Sequence, residues 1–144
     1  MLKKTITYTD FNGVERTEDF YFNLTKTELM NWHLTTAGGM YELLMQIINS
    51  KDQVEMIKYF QEVIKKAYGE KSADGKRLIK HDENGKPLVN NFMETNAYDQ
   101  LYMELVMNDK AAAEFINGLM PQDLATKASE MQKNGQLPQL PKQN

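Results

Sequence analysis

The residue types able to do chemistry are few in this chain and poorly spaced for it. Among 144 residues there are two histidines and no cysteine. The missing thiol removes disulfides, thiolate zinc sites, iron–sulfur clusters and cysteine nucleophiles together. His33 stands near an expected helix end and His81 in a charged loop, and neither has a second histidine or a carboxylate at ligand spacing on a defined element. Both read as surface or helix-terminal residues. Asp82-Glu83-Asn84-Gly85 lacks the last ligand of a calcium loop and reads as a turn. Gly69 and Gly75-Lys76-Arg77 imitate a phosphate loop, but the glycines are one step too far apart. Arg77 also occupies the place of the metal-binding hydroxyl.

Carboxylates recur at Glu94, Asp99, Glu104, Asp109 and Glu114. A five-residue step along a helix advances by about 500°, so these groups drift around the axis and make a solvated acidic face. No His-Glu-x-x-His, Gly-x-Ser-x-Gly or Gly-x-Gly-x-x-Gly occurs. The sequence therefore predicts a protein that is not an enzyme, with no catalytic residues, no cofactor and no metal. Seventeen basic residues against twenty acidic ones leave a net charge of -3, whereas a duplex-binding surface needs a basic excess. Nucleic acid is thus an unlikely partner. No apolar run approaches the ~20 residues that span a bilayer, and the basic start at Met1-Leu2-Lys3-Lys4 lacks a following apolar stretch. A soluble intracellular protein without a membrane partner is expected.

The elements that would carry any function begin with a hairpin over residues 3–24. Ile6 and Tyr8 alternate with Thr5, Thr7 and Thr9, and Phe20, Phe22 and Leu24 with Tyr21 and Asn23. Asp10-Phe11-Asn12-Gly13 supplies a tight turn through its Asn-Gly pair. The second strand is apolar only in its last half, so its first half should project past the core. Thr25-Lys26-Thr27-Glu28 is a capping box for a helix over about 26–34. Helices follow at about 40–49 and 51–68, the second opened by Ser50 and Gln53 and closed by Gly69 as a cap. Its Val54, Ile57, Phe60 and Ile64 face should receive Phe20, Phe22 and Leu24. Residues 69–90 read as a long exposed loop with at most one brief ordered segment around Leu78-Ile79. Helical pattern returns at about 88–94, 96–108 and 110–117, the last capped by Asp109 and closed by Gly118 and Pro121. Residues 122–144 read as a polar helix and a flexible Pro/Gln tail. The expected architecture is α+β: a predominantly helical bundle of about five helices with an N-terminal antiparallel β-hairpin, in one globular domain over 1–121.

Two surface features point to a partner. Lys65, Lys66, Lys71, Lys76, Arg77 and Lys80 outnumber the acids between them, opposite in sign to the acidic helix at 94–114. Such surfaces attract within a subunit or between neighbours. Of ten methionines, Met103 and Met107 lie four residues apart, outside the Tyr98, Leu101 and Leu105 line. With Tyr102 they would widen the helix's apolar face beyond what its own core needs, and methionine suits irregular apolar partners. The candidate partner-binding residues are therefore Met103, Met107, Tyr102, Lys71, Lys76 and Arg77.

The ordered set of stretches matters more than any one of them. Asp10-Phe11-Asn12-Gly13 leads into Phe20-Tyr21-Phe22-Asn23-Leu24-Thr25-Lys26-Thr27-Glu28-Leu29. Tyr68-Gly69-Glu70-Lys71-Ser72, Asp74-Gly75-Lys76-Arg77, Thr95-Asn96-Ala97-Tyr98 and Ala112-Ala113-Glu114-Phe115-Ile116-Asn117-Gly118-Leu119-Met120-Pro121 follow. Over roughly residues 5–121 this resembles the tail assembly chaperones of long-tailed bacteriophages and prophages of Gram-positive hosts. The resemblance implies a non-enzymatic role in the host cytoplasm. Such a protein binds and solubilises the tape measure protein, helps recruit the major tail protein, and is absent from the mature virion. It also implies a short form, with a longer frameshifted form in some members. The edge of the hairpin suggests self-association with a neighbouring copy. The alternatives are a structural tail or head-completion protein retained in the virion, and a small nucleic-acid-binding or regulatory protein using the 65–80 stretch.

Overall fold

The computed structural model describes residues 1–35, 53–119 and 121 of the chain. Strands β1 (Leu2–Thr9) and β2 (Glu15–Phe22) pair antiparallel, from Leu2 opposite Phe22 to Thr9 opposite Glu15. Period-2 burial governs β1, with Ile6 and Tyr8 inside and Thr5, Thr7 and Thr9 outside. In β2 residues 15–19 are all exposed and burial starts at Phe20, so half of the ribbon projects as expected. The turn differs in detail from a tight Asn-Gly reversal. Gly13 alone takes a positive φ, and the Gly13 amide donates to Asp10 O while the Asp10 amide donates to Val14 O. This is a three-residue loop with a glycine bulge.

Helix α1 (Lys26–Thr35) grows from the capping box, since the Thr25 amide donates to Glu28 Oε1 at 3.0 Å and the Glu28 amide to Thr25 Oγ1 at 3.1 Å. The expected helix at 40–49, the Ser50 cap and everything from 122 onward lie outside the described residues. Helix α2 (Gln53–Ala67) is followed without a break by β3 (Tyr68–Lys71), β4 (Leu78–Ile79), α3 (Val89–Met93), α4 (Asn96–Met107) and α5 (Asp109–Leu119).

The described residues thus hold five helices and a four-stranded antiparallel sheet in the order β1-β2-β3-β4. The α+β class stands, but the sheet is twice as wide as the N-terminal hairpin. Residues 69–90 are a correction. Tyr68 pairs with Phe22 and Gly69 with Tyr21, Glu70 pairs with Ile79, and an isolated bridge joins His81 to Pro87. Two successive hairpins replace the long loop. Gly69 is no helix cap: a Cβ there would stand 2.6 Å from Leu78 Cγ, so the residue is small because β4 lies against it. At α5 the cap is Asn108 and not Asp109, because Asn108 Oδ1 accepts from the Lys110 and Ala111 amides. Gly118 lies inside α5, not beyond its end, and abuts Leu2.

Phe22, fully buried, sits at the centre of an aromatic cluster with ring centroids 5.7 Å from Tyr68, 5.9 Å from Phe92 and 5.2 Å from Phe115. Tyr68 stacks on Phe92 at 4.5 Å, and burial pushes its phenol up to about 12. Phe60 and Ile64 belong to the same core, as expected, while the side chains of Val54 and Ile57 lie outside the described ones. The hairpin's aromatic contacts are therefore with α3, α5 and β3, elements the sequence had not offered as its anchor.

Candidate functional site

Helix α4 is fastened to β1 along its length. Thr95 Oγ1 accepts from the Tyr98 amide at the helix start, Asn96 Nδ2 donates to Thr9 O at 2.9 Å, and Lys4 Nζ lies 3.1 Å from Glu104 Oε2. Ala97, Leu101 and Leu105 are buried. At about 100° per residue, Met103 and Met107 project from the opposite side of the helix. Both are exposed, Met103 by 48% and Met107 by 77%. Tyr102 is half-buried at the margin, its ring 5.9 Å from that of Tyr98. The methionine pair is a surface feature on a rigid support.

Lys71, Lys76 and Arg77 form a separate group at the β3–β4 turn. Lys71 Nζ lies 5.0 Å from the Tyr21 ring centroid, a cation–π contact. Ser72 Oγ donates to Asp74 Oδ1 at 2.7 Å and accepts from the Arg77 amide at 3.0 Å, and the Lys76 amide also donates to Asp74. The Ser72 hydroxyl and this amide hold the Asp74 carboxyl below the usual carboxylate range. The turn presents Lys76 and Arg77 to solvent. Because β2 lies between β1 and β3, the basic turn and the methionine helix do not converge on one site.

Three features were missed by sequence reasoning. The first is Lys80, whose ammonium donates to Glu28 Oε2 at 2.5 Å, Lys66 O at 2.7 Å and Asn23 O at 2.8 Å. It ties the hairpin's end, the capping box of α1 and the last turn of α2 together, and it satisfies a helix C-terminal carbonyl. Burial pushes the Glu28 carboxyl up, but Lys80 and the Thr25 amide outweigh burial and hold it below its ordinary value. The second is a groove of about 390 Å³ beside this knot, lined by Leu24, Trp32, Pro87, Lys65 and Lys66 among others, with the Lys66 ammonium 5.3 Å from the Trp32 ring centroid. The third is the apolar exposure at the expected β1–β2 tip, where Phe11 is 81% and Val14 52% exposed. The signal available for the tip was the Asp-x-Asn-Gly pattern, present at 10–13 and again at 82–85.

Among the described residues no group of three His, Asp or Glu could hold a metal, and no helix is long and apolar enough to cross a membrane. The prominent features are exposed apolar side chains on well-capped elements, an arrangement for contact with other chains. In comparison with known proteins, residues 1–144 match a family model described as phage tail assembly chaperone. No match was found among curated proteins or among solved structures.

Proposed function

The chain belongs to the phage tail assembly chaperone family, and on that premise we propose that it acts by covering apolar helical surface of a tail protein, without making or breaking a covalent bond. The client is the tape measure protein, whose long helical faces stay exposed until the tube closes around them and are an aggregation hazard meanwhile. The observation that carries this reading is the outward methionine pair of α4, Met103 and Met107, on a helix whose opposite face fills the core. Unbranched, polarisable side chains adapt to helices of varied sequence. Since Met103 is only 48% and Met107 77% exposed, covering what remains of the two would contribute about 2–4 kcal/mol before the costs of association. One copy then grips weakly and reversibly, as befits a protein that leaves before the tail is complete and is absent from the virion.

The basic turn with Lys71, Lys76 and Arg77 offers a second contact, remote from the first, through which the major tail protein is recruited. Host cytoplasm is the place of action. Co-expression of the tape measure protein with wild-type chain or with the Met103→Glu/Met107→Glu double variant tests the client contact. The wild type should keep the tape measure protein in the soluble fraction and the double variant should lose it, both being equally folded by circular dichroism. Equal protection by the two would remove the methionine pair from the mechanism.

A further inference from the structure

Half of the chain's eight glycines follow an asparagine. Asn12-Gly13, Asn84-Gly85 and Asn117-Gly118 are among the described residues, and Asn134-Gly135 lies outside them. With no Cβ to shield it, a glycine nitrogen is the backbone nitrogen best able to attack the side-chain amide of the residue before it. Asn12, Asn84 and Asn117 are all exposed, so access to water does not separate them. What separates them is how firmly the following glycine nitrogen is held.

Asn117-Gly118 lies inside α5. Helical Cβ atoms tilt toward the N-terminus, so the Asn117 side chain leans away from the Gly118 nitrogen, and backbone amides there serve the carbonyls four residues back. The other two pairs sit in turns built alike. Gly13 donates to Asp10 O and Gly85 to Asp82 O, each at 3.0 Å. The Asn12 and Val14 amides donate to Asp10 Oδ1, as the Asn84 and Lys86 amides do to Asp82 Oδ1. Attack by either glycine nitrogen therefore waits for its turn to open. The supports beneath the two turns differ. Under the first runs a ladder of two eight-residue strands, reinforced by Arg16 on Asp10, Thr7 on Thr17 and Tyr8 on Glu18. Under the second stands the isolated His81–Pro87 bridge, with the Leu88 amide on Lys80 O. The less supported turn opens more often.

We propose that Asn84 is a site of spontaneous covalent modification, an intramolecular deamidation whose only other reactant is water. In the opened turn the Gly85 nitrogen gives its proton to hydroxide and bonds to Asn84 Cγ. The Cγ–Nδ2 bond breaks, and the departing nitrogen takes a proton from water and leaves as ammonia. The five-membered succinimide then takes up water and opens as aspartate or as isoaspartate. Isoaspartate adds a methylene to the backbone of a turn whose amides are spaced to reach Asp82 Oδ1, so that cradle is not regained. His81 and Pro87, bridged across this turn, both line the groove beside α1, so the modification reshapes the groove as well. Neither Met103 nor Met107 takes part, and the proposal stands or falls apart from the client grip.

Peptide mapping by mass spectrometry tests it, on full chain held in mildly alkaline buffer and sampled over time, with enzymatic labelling of isoaspartate. A gain of one mass unit should accumulate at Asn84 several-fold faster than at Asn12, with Asn117 the slowest of the three. Asp82→Ala, which removes two bonds of the second turn, should speed the reaction at Asn84 and leave Asn12 unchanged. Arg16→Ala should do the reverse. In concentrated urea, where the turns are gone, the three rates should converge. Faster modification of Asn12 or Asn117 than of Asn84 in the folded chain, an Asp82→Ala chain no faster at Asn84, or the same ranking persisting in urea would each overturn the proposal.

Discussion

Lys80 shows how a single side chain can hold together parts of the chain that no local pattern links. Its acceptors on Glu28 and Asn23 are 52 and 57 residues away in sequence, so the composition of 65–80 shows only another positive charge. Hydrogen bonds to charged groups contribute about 1.5–3 kcal/mol each way they are counted, and removing the cation also strands the Glu28 carboxylate. Lys80→Met is therefore expected to lower unfolding free energy by about 2–3 kcal/mol, measured by urea titration. The pH dependence has a definite sign. Because Glu28 titrates below its ordinary value in the fold, its contribution is complete above the ordinary carboxylate range. That contribution is lost as pH falls through the depressed value. Lys80→Met should thus lose less stability on acidification than the wild type does.

At the scale of elements, what the sequence made legible was whatever carried a period or a cap. The β1–β2 alternation, the Thr25–Glu28 box and the buried faces of α4 and α5 all follow from spacing that the structure confirms. The β3–β4 hairpin was not legible, since strands of four and two residues hold too little alternation to register, and their exposed glycine- and lysine-rich turn reads as loop. Asn108 and Asp109 are both residue types that cap helices, so local sequence does not separate them, and only the bonds from the Lys110 and Ala111 amides to Asn108 Oδ1 do. Gly69 carries the hairpin's packing. Gly69→Ala should cost about 1–3 kcal/mol in thermal or chemical unfolding, because Leu78 Cγ at 2.6 Å from the new Cβ forces β4 to move. Gly118→Ala, meeting only the end of the flexible Leu2 side chain at 3.0 Å, should cost clearly less. Equal losses at the two glycines would mean that β4 yields as easily as a side chain.

Across the whole molecule, the core is closed by aromatics from the hairpin and the C-terminal helices, and the proposed partner-binding groups are distributed over separate elements. The six candidate residues picked from sequence divide between α4 and the β3–β4 turn, because strand order places β2 between those elements and one-dimensional spacing carries no strand order. The exposed methionines were legible as a departure from the buried stripe, whereas the groove was not, being assembled from six separate stretches of chain. A tail assembly chaperone that grips its client through α4 must change the surroundings of two particular methyl groups on binding. The most direct measurement is methyl NMR of 13C-methionine-labelled protein, titrated with a soluble apolar helical segment of the tape measure protein. The Met103 and Met107 methyl signals should shift or broaden in step with binding, while that of Met93, packed against the core, stays in place. Binding of the segment with Met103 and Met107 unmoved would contradict the proposed mode of action.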